Sequence, residues 1–353
     1  MSETTSQSDP PKLRRGWTTG ACATAATRAA LMALWGEGFP DRVRITLPKG
    51  ERPEFALSHM AQGEGWAEAG IIKDAGDDPD VTHGAEIRAR VAVSAGGVIF
   101  RAGKGVGMVT KAGLPIGVGE PAINPVPRRM MCEQVEEMAA RLGKSPDVEI
   151  TVSIPEGETL AQKTWNPRLG IKGGLSVLGT TGIVRPFSCA AWIASIHRGI
   201  DVARAEGLTH VAGCTGATSE RVVMAHHGLG ESAMLDMGDF AGGMLKYLAK
   251  HPVPRVTIGG GIGKIAKLAQ GEMDLHSKRA QVDLPYWAEL LGDPKLAQMN
   301  TALEVYEARG GDFARLVAQK ALEAVEARFG GQGMSFDVVV IDRAGTIIGT
   351  AGA

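Results

Sequence analysis

The run Thr257-Ile258-Gly259-Gly260-Gly261-Ile262-Gly263-Lys264 decides the fold class of the C-terminal half of the chain. It starts in a short apolar segment of strand type, passes through consecutive glycines and opens a helix. The spacing Gly261-x-Gly263-x-x-Ala266 also fits the glycine pattern with which a strand–turn–helix unit receives a dinucleotide. This order of elements is typical of a parallel α/β sheet.

Other segments of the second half repeat this alternation of strand and helix. Helical segments at 187–206 and 312–329 separate the short apolar runs, and the second carries an apolar stripe. We therefore predict that residues 156–353 form an α/β domain with a doubly wound, Rossmann-like, mainly parallel sheet. The apolar runs stand at 175–178, 210–212, 256–258 and 338–341.

The N-terminal half has a different pattern, which predicts an α+β domain over residues 12–155. Thr18 and Thr19 can cap an alanine-rich helix at 21–35, and a second helix is predicted at 128–142. Residues 94–97, Ser-Ala-Gly-Gly, predict a hairpin between the strands at 86–93 and 98–101. A boundary is predicted at Pro155-Glu156-Gly157. The predicted strands are 43–47, 86–93, 98–101 and 148–154.

Composition limits the class of protein. The chain of 353 residues has a formal net charge of -1, so no overall field attracts nucleic acid or an anionic membrane. Its four cysteines lie far apart, and no apolar run reaches membrane-spanning length. The polar residues 1–11 lack the pattern of a secretory signal and predict a disordered tail. These features predict a cytoplasmic protein with two domains.

Three Thr-Gly turns share one predicted design, in which the turn leads into a helix N-terminus. Free backbone amides at such a turn can hold a carboxylate or a ribose oxygen, although ordinary helix capping explains each turn equally well. The turns are Thr18-Thr19-Gly20, Thr180-Thr181-Gly182 and Cys214-Thr215-Gly216.

The glycine pattern at Gly261 also keeps a nicotinamide-dependent oxidoreductase open as an alternative. Such a site expects this unit to come first in its fold, with an acidic residue at the end of the next strand. Asp283 has a suitable spacing from Gly261 but follows no predicted strand. The eight histidines and four cysteines show no zinc-binding spacing, so no protein-bound metal is predicted.

Two charged groups of residues are candidates for ligand binding. Residues 73–84 concentrate carboxylates, glycines and His83 in a loop that could orient a reactant, although turn chemistry alone also favours this composition. Basic residues in glycine- and proline-rich segments suit a ligand with several carboxylates. They are Arg101, Lys104, Lys111, Arg128, Arg129, Arg168, Lys172 and Arg185.

Taken together, these segments resemble CbiD, the cobalt-precorrin-5B C(1)-methyltransferase family of the oxygen-independent cobalamin pathway. The family pattern usually has Asn at the position of His83, and Asn-Thr at the positions of Asp274 and Leu275, whereas His276 keeps its place in a His-Ser pair. The resemblance rests on ordered blocks: RRGWTTGACATAA (14–26), IIKDAGDDPDVTHG (71–84), GKGVGMVTKAGLPIGVGEPAINPVPRRM (103–130), GIKGGLSVLGTTGIVRP (170–186) and GGIGKIAKLAQGEMDLHS (260–277).

The resemblance implies methyl transfer from S-adenosylmethionine to C-1 of cobalt-precorrin-5B, which gives cobalt-precorrin-6A. Cobalt then enters only as part of the tetrapyrrole substrate. A non-catalytic tetrapyrrole carrier is the alternative from another class, because a basic, glycine-rich crevice can also hold an unstable intermediate. A homo-oligomer, or transient contact with other enzymes of the corrin pathway, is compatible with this reading.

Within this reaction the sequence assigns roles to four groups of residues. The S-adenosylmethionine site is predicted at Gly179, Thr180, Thr181, Gly182, Cys214, Thr215 and Gly216, since strand ends meet at such crevices. The macrocycle's acetate and propionate groups are predicted to meet Lys104, Lys111, Arg128, Arg129 and Arg185 near the domain interface, with Thr18 and Thr19 as further substrate contacts. Catalytic roles are predicted for Asp74, Asp77 and Asp78, which orient the macrocycle or help a proton leave, and for His276, which could also be an axial cobalt ligand.

Overall fold

The structure is a computed structural model that describes residues 13–352. The tail predicted at 1–11 lies outside the described residues. The chain divides into two compact units, each with its own core: unit 1 comprises residues up to 110 together with 115–188, and unit 2 comprises 111–114 together with the residues from 189 onward. Several sheets and many helices make the fold a mixed α/β architecture, as predicted.

Unit 1 is built around a five-stranded sheet and two long helices. Its helices are α1 (Thr19–Leu34), α2 (Pro125–Leu142) and the short α3 (Gly157–Ala161). Its strands are β1 (Gly16–Trp17), β2 (Arg42–Arg44), β3 (Glu54–Ala56), β4 (His59–Gly63), β5 (Trp66–Ile72), β6 (Glu86–Val93), β7 (Val98–Ala102), β8 (Gly105–Val106), β9 (Met108–Val109), β10 (Val148–Ser153), β11 (Ile171–Lys172), β12 (Gly174–Leu175) and β13 (Ile183–Val184).

The main sheet of unit 1 has the strand order β4-β5-β6-β10-β7. The predicted hairpin between β6 and β7 is therefore wrong, because β10 lies between them. Val148 of β10 pairs with Val93 of β6 on one side in an antiparallel ladder, and with Val98 of β7 on the other side in a parallel ladder. The reason is burial. Val148, Ile150 and Val152 are fully buried, and the central position gives the backbone groups on both edges of their strand hydrogen-bond partners.

Helix α1, which the alanine-rich sequence predicts, lies in the core of unit 1. Thr18 caps it, since its Oγ1 accepts a hydrogen bond from the Ala21 amide at 3.2 Å. Small side chains let α1 pack closely against β5, β6 and α2. A Cβ atom at Gly20 would stand 2.6 Å from Cγ of Pro127, so this position of the helix contact tolerates no side chain without movement.

The predicted domain boundary at residue 155 differs from the division in the structure. Residues 156–188 pair with earlier strands of unit 1, through the ladders β8–β12, β9–β11 and β1–β13. The backbones of Gly105, Gly157 and Gly174 meet there, because a Cβ atom on Gly157 or Gly174 would overlap the Gly105 carbonyl oxygen. The segment at 175–178, predicted as a strand of the C-terminal domain, thus belongs to unit 1.

Unit 2 contains a second five-stranded sheet with the order β15-β14-β16-β17-β18. The first four strands are parallel neighbours, and β18 pairs antiparallel with β17. The strands are β14 (His210–Cys214), β15 (Met234–Leu235), β16 (Arg255–Gly261), β17 (Ser335–Ile341) and β18 (Ile347–Ala351). The helices are α4 (Cys189–Ala205), α5 (Ala217–His227), α6 (Ala241–Leu248), α7 (Ile262–Ala269), α8 (Leu284–Leu291), α9 (Ala302–Arg309) and α10 (Gly311–Phe329).

Alternate residues of these strands enter two apolar clusters, one on each side of the sheet. Val338 and Val340 of β17 belong to the larger cluster, which also contains residues of α4, α6, α7 and α10. Val339 and Ile341 belong to the smaller cluster, with Val223 of α5. Both faces of the sheet are thus covered, as expected for parallel strands. Among residues 13–352, no helix is both long and apolar enough to cross a membrane.

Candidate functional site

The carboxyl ends of β14 and β16 form the candidate site of unit 2. Strand order reverses here, because the chain goes from β14 outward to β15 and then returns to β16 on the other side of β14. Ligands of open α/β sheets bind at such a switch point. The two ends lie side by side: the Thr215 amide donates to the Gly259 carbonyl oxygen at 2.9 Å.

Glycines shape this crevice in two different ways. A Cβ atom at Gly260 would lie 2.7 Å from Oγ1 of Thr215, so Gly260 lets the two strand ends approach. Gly216, Gly261 and Gly263, in contrast, face open space, since a Cβ atom there would meet no atom within 4 Å. Gly216 and Gly261 immediately precede α5 and α7 and make no side-chain cap, so both helix N-termini keep backbone amides for a ligand.

Cys214, predicted to line the cofactor site, has no side-chain group to offer a ligand. Its side chain is buried in the smaller apolar cluster, and its carbonyl oxygen accepts a hydrogen bond from the Gly238 amide at 3.0 Å. Burial, with added repulsion from the Glu220 carboxylate, raises the pKa of the thiol to about 12. The thiol is therefore protonated near neutral pH and is no nucleophile.

A polar segment that follows β15 borders the same crevice and was missed in the sequence. Asp236 is the first residue after β15 and stands about twenty residues beyond Gly216, the spacing of the acidic residue that binds ribose in dinucleotide folds. Asp239 forms an ion pair with Lys264 of α7. The pattern predicted for Gly261 and Asp283, with the acidic residue at the end of the next strand, is met instead by Gly216 and Asp236.

Hydrogen bonds connect Leu275, the residue before His276, to this region. The amide of Leu275 donates to the Asp239 carbonyl oxygen at 2.8 Å, and Lys264 and Lys267 both donate to the Leu275 carbonyl oxygen. Nδ1 of His276 accepts a hydrogen bond from the Lys278 amide at 3.2 Å. Because Nδ1 is the acceptor of this bond, ligation of cobalt through Nε2 would require the other tautomer of the ring and would break the bond to Lys278.

The turn at Gly179, Thr180, Thr181 and Gly182 does not have the predicted design. Strand β13 follows it instead of a helix and pairs with β1. The turn is part of unit 1, and Gly182 accepts a hydrogen bond from the Thr18 amide at 2.9 Å. The turn opens no helix of its own, because the chain enters β13 directly, and the helix N-terminus beside it is that of α1, whose cap Thr18 contacts Gly179. Its role in cofactor binding stays a prediction.

Four of the five sequence blocks meet around the N-terminus of α1 in unit 1, since Gly20 also packs against Pro127. The Trp17 amide donates to the Asp74 carbonyl oxygen at 2.7 Å, and the amide of Gly20 donates to Leu178 at 3.0 Å. A Cβ atom on Gly16 would overlap the Ala75 backbone, so the first block lies directly on the acidic loop. Thr18 and Thr19, predicted to contact substrate, are both buried here. That contact stays a prediction.

The carboxylates of the acidic loop have structural partners. Asp74 pairs with Arg14, whose guanidinium holds the pKa of that carboxyl below its usual range. Asp77 accepts from the Arg14 amide at 2.6 Å, and Asp78 accepts from the Phe187 amide at 2.8 Å. Lys73, which is buried, pairs with Asp80 nearby. The carboxylates of the loop thus hold neighbouring segments of the chain by hydrogen bonds. Their predicted catalytic role stays a prediction.

These contacts predict how the loop responds to substitution. If Asp77 and Asp78 act only through these bonds, Asp77→Asn and Asp78→Asn should keep near-normal turnover, because an amide oxygen still accepts the backbone hydrogen bond. We expect Asp77→Ala and Asp78→Ala to lower the free energy of unfolding by about 1 kcal/mol each. Denaturant titration and methyl-transfer rates test both. A large loss of turnover in the Asn variants, with unchanged stability, would instead support a catalytic role.

The basic residues fall into two groups. Arg128 pairs with Glu120 and donates to two backbone carbonyl groups, and Lys111 pairs with Glu206 and Ser232 in unit 2. Both are therefore engaged within their own units. Lys104, Arg129 and Arg185 are exposed in unit 1, and Arg129 has a single i,i+4 partner in Glu133.

A histidine network at the start of the strands of unit 2 was also missed in the sequence. His210 lies 2.7 Å from the Thr257 hydroxyl, which donates to buried Asp337 at 2.8 Å, and Arg255 donates to the same carboxylate. His227 Nε2 lies 3.1 Å from Asp337. Only the sheet brings these side chains together. Within 13–352, no group of three or more His, Cys, Asp or Glu side chains is arranged to hold a metal ion.

This network predicts a dependence of stability on pH. Burial lowers the pKa of His210 and of His227, and the Arg255 and His226 charges act in the same direction against the opposing Asp337. A lowered pKa in the folded state means that the unfolded chain binds more protons below the ordinary histidine pKa of about 6.5. We expect the free energy of unfolding to fall as pH drops through that value. Denaturant titrations of wild type and of a His210→Gln, His227→Gln variant should differ in this slope.

Comparison with known proteins identifies the family of this chain. The CbiD family model matches residues 6–186, and the model of the CbiD C-terminal domain matches residues 274–352. A protein of Paramagnetospirillum magneticum named cobalt-precorrin-5B C(1)-methyltransferase is 59% identical, with 97% of this chain and 99% of that protein covered. The chain belongs to the CbiD family. A Rhodospirillum rubrum protein of the same name is 56% identical over 96% of this chain and 98% of its own length.

A solved structure of the CbiD family is also similar. The crystal structure of the cobalamin biosynthesis protein (cbiD) from Archaeoglobus fulgidus gives a TM-score of 0.41 at 24% identity, with 93% of this chain and 87% of that chain covered. The resemblance to the CbiD family inferred from the ordered blocks is confirmed by the family models and the curated relatives.

Proposed function

We propose that this protein is an S-adenosylmethionine-dependent methyltransferase that methylates C-1 of cobalt-precorrin-5B and gives cobalt-precorrin-6A. The observation that carries the proposal is the identity of 59% to a relative of that name over nearly the whole length of both chains. Cobalt is part of the substrate in this reaction.

The sheet of unit 2 supports a Rossmann-like, doubly wound domain as the cofactor domain. Its parallel part has the order β15-β14-β16-β17, with one strand on one side of β14 and two on the other. This is the order of the flavodoxin-like variant of the fold, whose ligand lies between the first and third strands. Those strands are β14 and β16 here.

The residues at that point fit an adenosyl cofactor. Gly216, Gly261 and Gly263 leave room for close approach of a ligand to the backbone, and the amides at the starts of α5 and α7 are donors for its carboxylate. Asp236 is suited to accept hydrogen bonds from two ribose hydroxyls. We therefore propose that Thr215 and Gly216 bind S-adenosylmethionine, as predicted from the sequence, and that the glycine-rich end of β16 binds it as well.

When bound, S-adenosylmethionine supplies a methyl group already activated by a sulfonium charge. The protein must then mainly align the attacking carbon, the methyl group and sulfur, and exclude water. A carboxylate at sulfur would stabilise the charged ground state more than the transition state. The glycine-rich end of β16 is neutral, and the charge of nearby Lys264 is balanced by Asp239.

For the substrate, we propose that Lys104, Arg129 and Arg185 bind the acetate and propionate groups. Their exposure supports this role, since their guanidinium and ammonium groups are accessible to a ligand. We also propose that the enzyme works in the cytoplasm, alone or as a homo-oligomer, and that other enzymes of the corrin pathway contact it transiently.

The deciding experiment is anaerobic incubation of the purified protein with cobalt-precorrin-5B and methyl-labelled S-adenosylmethionine, followed by mass spectrometry of the tetrapyrrole. Label at C-1 is the expected result. Bound but unlabelled substrate would favour a carrier. Binding of NADH in place of S-adenosylhomocysteine would favour an oxidoreductase, an alternative that the spacing of Gly216 and Asp236 also suits.

A further inference from the structure

A half-exposed tryptophan stands beside the crevice of unit 2. Trp192, in α4, is 46% exposed, although large aromatic side chains usually contribute most of their surface to a core. Its indole Nε1 donates to the Asp236 carbonyl oxygen at 2.8 Å. Its ring centroid lies 6.1 Å from that of Phe240, at an interplanar angle of 58°. The ring is thus held on one side and open on the other.

Two glycines make this position of the ring possible. Gly238 has a φ of 54°, and a Cβ atom there would lie 3.3 Å from Cζ2 of Trp192, so a side chain larger than that of alanine would push the ring away. Gly243 of α6 brings that helix against α4, because a Cβ atom there would lie 3.0 Å from Ile193. The orientation of Trp192 is therefore fixed before any ligand arrives.

The location of the ring points to its ligand. Asp236 and Gly238 follow β15, and the Gly238 amide donates to the Cys214 carbonyl oxygen at the end of β14. Trp192 thus lies on the β15 side of the crevice, beside the carboxylate that we assign to the ribose. The base of a nucleoside is bonded directly to its ribose, so the base must lie next to this ring. The tetrapyrrole must instead approach the sulfonium end of the cofactor.

We propose that Trp192 is the stacking surface for the adenine ring of S-adenosylmethionine. This assignment rests on the proposed methyltransferase function and deepens it, because it gives the nucleoside site a residue that binds the base. An aromatic ring with a fixed orientation binds a base without a further loss of side-chain freedom. Trp192 then acts in binding alone and takes no part in the movement of the methyl group.

Calorimetric titration of the full-length chain with S-adenosylhomocysteine tests the proposal. We expect Trp192→Ala to weaken binding about tenfold, the usual order for loss of one base–aromatic stack. Trp192→Phe keeps a ring but loses the indole N–H, and we expect its affinity to stay within about threefold of wild type. Adenosine, which lacks the amino-acid part, should lose the same factor as S-adenosylhomocysteine in Trp192→Ala.

A control variant separates stacking from a general loss of apolar surface. Leu290→Ala removes another exposed apolar side chain of unit 2, and its affinity for S-adenosylhomocysteine should equal that of wild type. Equal loss in Trp192→Phe and Trp192→Ala would overturn the proposal, because the indole N–H would then act by positioning Asp236. Weaker tetrapyrrole binding with unchanged S-adenosylhomocysteine binding would overturn it as well.

Failure of this assignment is distinguishable from failure of the proposed function. If wild type binds S-adenosylhomocysteine and labels the tetrapyrrole while Trp192→Ala binds equally well, only the role of Trp192 is refuted. If wild type binds no S-adenosylhomocysteine, the methyltransferase function and the stacking role are both refuted.

Discussion

Replacement of Gly216 by valine is expected to weaken S-adenosylhomocysteine binding about 100-fold while the protein stays folded. Gly216 has φ 172° and ψ 171°, an extended conformation that valine also adopts, and a Cβ atom there meets no protein atom within 4 Å. The new side chain therefore occupies the space assigned to the ligand. A steric conflict of about 3 kcal/mol corresponds to this loss of affinity. Calorimetric titration measures it.

The matched control is Gly230→Val. Gly230 also precedes a helical segment with extended backbone, and it too faces open space, but it lies before β15, at the opposite end of that strand from Asp236. Its affinity should equal that of wild type. Both variants should shift the melting temperature by less than about 4 °C, since each loses at most a favourable cap. Normal binding of S-adenosylhomocysteine by Gly216→Val would show that the ligand does not bind in this crevice.

Replacement of Gly157 by alanine is expected to have the largest effect on stability. Helix propensity alone would favour alanine at this first residue of α3. The added methyl group, however, would overlap the Gly105 carbonyl oxygen, and backbone atoms cannot move aside as a flexible side chain does. We expect the free energy of unfolding to fall by at least about 3 kcal/mol. Denaturant titration followed by circular dichroism measures this loss.

Gly143→Ala provides the comparison in the same unit. Gly143 caps α2 with φ 64°, and the methyl group of an alanine there would have no atom within 4 Å, so the substitution meets only the strain of left-handed backbone. That strain costs about 1 kcal/mol. If Gly157→Ala were no more destabilising than Gly143→Ala, the close contact of the three glycine backbones would have to relax without cost.

Local patterns predicted several single elements of the fold. Alternation located β6 at its observed bounds and β10 within one residue, and helical periodicity located α2, α4 and α10 within three residues of their ends. Each of these elements buries one face or one stripe, so its own residues carry the signal. The Thr18 cap was likewise readable, because capping is decided within four residues.

Pairing between distant segments was not readable in the same way. Ser94 to Gly97 carry a genuine turn signal, but the choice of β10 as the partner of β6 depends on burial across about fifty intervening residues. Pro155-Glu156-Gly157 likewise suggested a boundary, whereas Gly157 is a point of close packing. The sequence shows that glycine is needed there and does not show which backbone it meets.

The candidate site was recognised in pieces. Thr215-Gly216 and the glycines at the end of β16 were each noted, but only the parallel pairing of β14 and β16 makes them neighbours. Asp236 was overlooked because β15 is two residues long and leaves almost no strand signal. The turn at Thr180 was assigned to the same site on composition, although a strand follows it and the turn lies in unit 1.

The central position of β10 has a consequence for the order of folding events. Strands β6 and β7 are complete in the chain long before β10 is synthesised, and they already run in opposite directions in the native sheet. A premature β6–β7 hairpin would have the correct sense but would block the place of β10, and it must open before the native sheet closes. Where such a hairpin forms, we expect it to slow the folding of unit 1, because the native sheet can close only after this near-native pairing dissolves.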